Sequence, residues 1–121
     1  MENSEKTLEI IKPYIDQNVV SELDGNLFDH VPSTFLFRFA DPSELWDALM
    51  EDYEDYLEDW EKDEIIPVAA VSSKDSPNYE FAWIFLDWRD SEEPGIVITT
   101  TDDWSKNRTL SSITELNLEI K

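Results

Sequence analysis

The chain has 121 residues, with 29 acidic side chains against 9 basic ones and a formal net charge of −20. That sign argues against direct binding of nucleic acid or of an anionic membrane surface, since either would repel it. The absence of cysteine excludes disulfides, thiolate metal sites and thiol nucleophiles. An apolar content of 40% and an aromatic content of 12%, with five Trp, belong to a folded chain and not to a disordered one. The length suits a single domain, expected to span residues 1–121. No run approaches the roughly 18 apolar residues of a membrane span, and the opening MENSEKTLEIIKPYI is too short and too charged for a signal peptide. The expected location is the cytoplasm. Without a secretion signal, the acceptor-like triplet Asn107-Arg108-Thr109 carries no meaning.

In chain order, residues 7–24 read first as a helix. Leu8, Ile11, Ile15, Val19 and Leu23 recur at steps of three or four and fall on one face. Pro13 implies a kink or a later start, and Gly25 stands where a C-terminal cap belongs. Phe35, Phe37 and Phe39 alternate with Leu36 and Arg38, which predicts a strand with an aromatic inner face. Asp41-Pro42-Ser43-Glu44 predicts a helix start, with Asp41 as cap, Pro42 in the first turn and Glu44 three residues after the cap. The helix should reach Trp60 or Lys62, with Trp46, Leu49, Met50, Tyr53, Tyr56, Leu57 and Trp60 as its apolar stripe. That stripe is expected to pack on Phe35, Phe37, Trp83 and Phe85.

The second half changes period. Residues 65–71 predict a strand, which Pro67 places at a sheet edge or at the strand's start. Residues 72–78 read as a turn. Tyr79 to Trp88 predict a long strand whose two faces are both apolar, so that both can be covered. After a turn over 89–95, residues 96–101 form a β-branched strand. Ser112, with Glu115 three residues on, caps a short helix over Ile113 to Leu116. The expected fold class is α+β: a mostly antiparallel sheet of about four or more strands, two main helices packed on one face, and a short C-terminal helix.

Catalytic patterns are absent. Gly25 and Gly95 are isolated, so there is no glycine-rich phosphate loop, and no serine sits in a nucleophile elbow. His30, the single histidine, lies in a polar loop and reads as a surface residue. Acid–base work by a carboxylate needs an apolar pocket and a raised pKa. Asp87, on the face of Phe85, is the one candidate, and its competing reading is an ion pair with Arg89. The alternating acids and turn glycine of a calcium loop are missing, although Asp102-Asp103 could hold a cation weakly. No catalytic residue, metal site or cofactor is therefore expected.

The acidic helix is the distinctive feature. Between Asp41 and Glu64 there are 12 acids and one base, Lys62. On a helical wheel Asp47, Glu51, Glu54, Asp55 and Glu58 lie opposite the apolar stripe. Asp52 and Asp59 complete the candidate partner-binding set of Asp47, Glu51, Asp52, Glu54, Asp55, Glu58 and Asp59. Asp47/Glu51, Glu51/Asp55, Glu54/Glu58 and Asp55/Asp59 are like-charge pairs four apart, each costing about 0.2–0.5 kcal/mol. A face of one sign, kept at that cost, fits a basic protein partner. The competing reading is a solvated face whose acidity serves solubility.

The stretch IIPVAAVSSKDSPNYEFAWIFLDW, then PGIVITT, then LSSITEL, resembles the second half of the SUKH (Smi/Knr-like) superfamily over roughly residues 65–117. In that family an "iP-apolar" strand, an aromatic strand ending in acid, a further strand and a short closing helix recur in this order. The resemblance implies an immunity role in a bacterium, in which the protein neutralises a toxin, often a nuclease. Because nucleases are basic where they hold phosphates, an acidic inhibitor suits them on physical grounds as well. The leading expectation is thus a non-catalytic immunity or inhibitor protein that occludes a basic protein, either a toxin or, by DNA mimicry, a DNA-binding protein. The alternative is a small adaptor or assembly subunit.

Overall fold

A computed structural model describes residues 2–23, 33–58, 60, 64–89, 93–100 and 103–121. Its architecture is α+β. Helix α1 (Glu2–Ile11) runs into a 3-10 turn (Lys12–Tyr14) and then strands β1 (Val19–Leu23) and β2 (Ser33–Phe39). Helix α2 (Pro42–Leu57) is followed by β3 (Ile65–Ser73), β4 (Ser76–Asp87), β5 (Gly95–Thr100) and β6 (Asp103–Leu110). A 3-10 turn (Ile113–Leu116) and strand β7 (Glu119–Ile120) complete the order. The strands form one antiparallel sheet of seven, ordered β6-β5-β4-β3-β2-β1-β7. Among the described residues, no helix is long and apolar enough to cross a membrane.

The two helices lie on opposite faces of this sheet, not on one. On one face Ile11 of α1 joins Phe35, Phe37, Phe39, Ile84, Leu86 and Trp88 in a buried cluster. On the other, Leu45, Leu49 and Leu57 of α2 bury against Ala70, Trp83, Phe85 and Val97. The cause is the alternation of strand side chains acting on strands that are apolar on both sides. The α2 stripe meets Trp83 and Phe85 as expected, with the Trp46 and Trp60 rings 6.2 and 4.8 Å from that of Phe85. Phe35 and Phe37 face the other way, where Phe35 packs on Phe81 at 5.9 Å. Leu45, absent from the expected stripe, is fully buried, while the side chain of Tyr56 lies outside the described set.

Three further expectations change. The helix over 7–24 is in fact α1 plus β1: Pro13 sits in the 3-10 turn, and Asp16 reverses the chain with a positive φ of 61°. Val19 and Val20 then pair with Phe37 and Leu36. Gly25 lies outside the described residues. Strand β3 is the middle strand of the seven, so the edge reading of Pro67 fails, while Pro67 does stand near the strand's start, third in Ile65–Ser73, beside a shift of register between Pro67 and Ala69. The short C-terminal helix is a single 3-10 turn, although its capping box between Ser112 and Glu115 forms as expected. Strands β6 and β7 are additional to those expected.

Two buried hydrogen bonds tie the periphery to the sheet. The Trp88 Nε1–H donates to Thr7 Oγ1 at 2.8 Å, which docks α1. The Ser21 hydroxyl donates to the Leu116 carbonyl at 2.5 Å, which docks the last 3-10 turn on β1.

Candidate partner-binding surface

Helix α2 starts where the local chemistry places it. The Asp41 carboxylate accepts the Ser43 N–H at 2.9 Å and Pro42 occupies the first turn. Because Leu45, Leu49 and Leu57 are buried, the opposite side of the helix is fixed outward. Asp47, Glu51, Asp52, Glu54, Asp55 and Glu58 are all exposed, and Asp59 lies outside the described residues. The last turn has no basic residue, so Glu54, Asp55 and Glu58 sit against the negative end of the helix dipole.

The acidic row is not one straight ladder. Tyr53 leaves helical geometry, at φ −132° and ψ 22°, and kinks α2 there. Asp47 and Glu51 lie before the kink; Glu54, Asp55 and Glu58 lie after it. The i,i+4 register of Glu51 with Asp55 is therefore broken. The helix also stops at Leu57, short of Trp60, and Lys62 lies outside the described residues.

Tyr53 joins the acidic helix to the sheet. Its phenol pKa is raised, first by burial and then by the neighbouring Asp52, Tyr79 and Glu80. Beyond it, the part of the sheet surface formed by β1, β2, β3 and β4 carries a groove of about 380 Å³, lined in part by Gln17, Asn18, Leu36, Arg38, Ser72 and Glu80. Arg38 Nη2 donates to Glu80 Oε2 across this groove at 2.8 Å. Tyr79, next to Glu80, is 58% exposed. Nothing in the sequence joins these residues, because Arg38 and Glu80 are 42 positions apart and only the pairing of β2 on β3 and β3 on β4 brings them together.

The remaining chemical candidates resolve as follows. Asp87 accepts two hydrogen bonds from the Arg89 guanidinium, both at 2.9 Å, and a third from the Arg89 N–H at 3.0 Å. The side-chain hydrogen bond to Arg89 holds its pKa below the ordinary aspartate value, against an opposing push from burial. A poised general acid requires the opposite shift, so the ion-pair reading of Asp87 holds. His30 and Asp102 lie outside the described residues, and Asp103 opens β6 paired with Thr100 instead of standing in a loop. Among the described residues, no three His, Cys, Asp or Glu side chains gather as a metal site would require.

Comparison with protein-family models, with curated proteins and with solved structures finds no match to the chain.

Proposed function

We propose that the protein is a non-catalytic acidic binding protein, an immunity or inhibitor protein that occludes a basic protein such as a nuclease toxin or, as a DNA mimic, a DNA-binding protein. The observation that carries this reading is the outward set of Asp47, Glu51, Asp52, Glu54, Asp55 and Glu58, held in place by the buried leucines on the other side of the same helix. The resemblance to the SUKH superfamily and the net charge of −20 support it. Complementary fields act chiefly on association rate and weaken with salt.

A second reading is a small adaptor whose acidity serves solubility. The kink at Tyr53 favours it to the extent that it breaks the regular spacing a DNA mimic would use. The test begins with capture of the partner from native cell extract. Association kinetics then follow at low and high salt for the wild type and for Glu51→Lys, Glu54→Lys, Glu58→Lys combined. The expected result is much slower association with a fold at least as stable, since like-charge repulsion is relieved. Equal rates and no salt dependence would reduce the acidic face to a solubility device.

A further inference from the structure

We draw no further inference here: the strongest candidate, the groove on the sheet surface formed by β1, β2, β3 and β4, carries none, since its one acidic lining residue, Glu80, is already paired with Arg38 and nothing among the described residues shows what covers it.

Discussion

Trp83 and Thr99 stand opposite one another on adjacent strands beneath α2, and each buries a polar atom, the indole Nε1 and the hydroxyl Oγ1, that has no hydrogen-bond partner among the described residues. A buried hydroxyl without a partner costs about 1–3 kcal/mol. Thr99→Val keeps the shape and removes that hydroxyl. Urea unfolding of the variant should show stability unchanged or raised, by up to about 1–3 kcal/mol. A clear loss would mean that the hydroxyl is bonded in solution.

The same substitution at Thr7 should have the opposite sign. There the hydroxyl accepts the Trp88 indole N–H, and Thr7→Val would strand a buried donor. The expected loss is about 1–3 kcal/mol, read by denaturation with tryptophan fluorescence as the probe. A neutral result would place α1 off the sheet in solution.

Leu57 is fully buried against the sheet at the end of α2. Leu57→Ala should cost about 2–5 kcal/mol of unfolding free energy, the range for a leucine in a packed core. A cost under about 0.5 kcal/mol would fit an exposed position and would remove the anchor that turns the acids outward.

Part of this architecture was legible in the sequence. The cap at Asp41, the stripe through Leu57 and the two apolar faces of β4 were readable, because each is a local spacing with a local cause. Opposite placement of the helices follows from that two-faced strand, but a second helix had to be recognised as packing on the far side. Residues 19–23 misled because Ile11, Ile15, Val19 and Leu23 keep a four-residue step by coincidence, while the backbone reverses at Asp16. Strand β6, DWSKNRTL, has no apolar alternation to betray it. The groove was invisible, since it depends on the register of four strands.

Asp87 supplies a test by pH. Its folded pKa is lowered, first by the side-chain hydrogen bond from Arg89, so its contribution to stability is full above the unfolded value and is lost as pH falls through the folded one. The carboxyl resonance should titrate below the range of ordinary aspartates. In Arg89→Gln it should move up toward that range, and the acid limb of the stability curve should flatten. An unshifted midpoint in the wild type would show that the Arg89 fork is not kept in solution.

Six of the strands follow one another across the sheet in chain order, whereas β7 returns to β1, pairing Ile120 with Val19 and Glu119 with Val20. With the Lys121 N–H on the Asn18 carbonyl at 2.8 Å, this short pairing covers the outward backbone of β1. Only two residues of pairing hold β7 against the closure entropy of a loop of about a hundred residues, which makes it a weakly held strand. Whenever it detaches, Val19 and Val20 present an open strand edge to other chains. The pairing of Glu119 and Ile120 thus guards β1 against edge-to-edge association, and the strong negative charge keeps neighbouring chains apart when it opens.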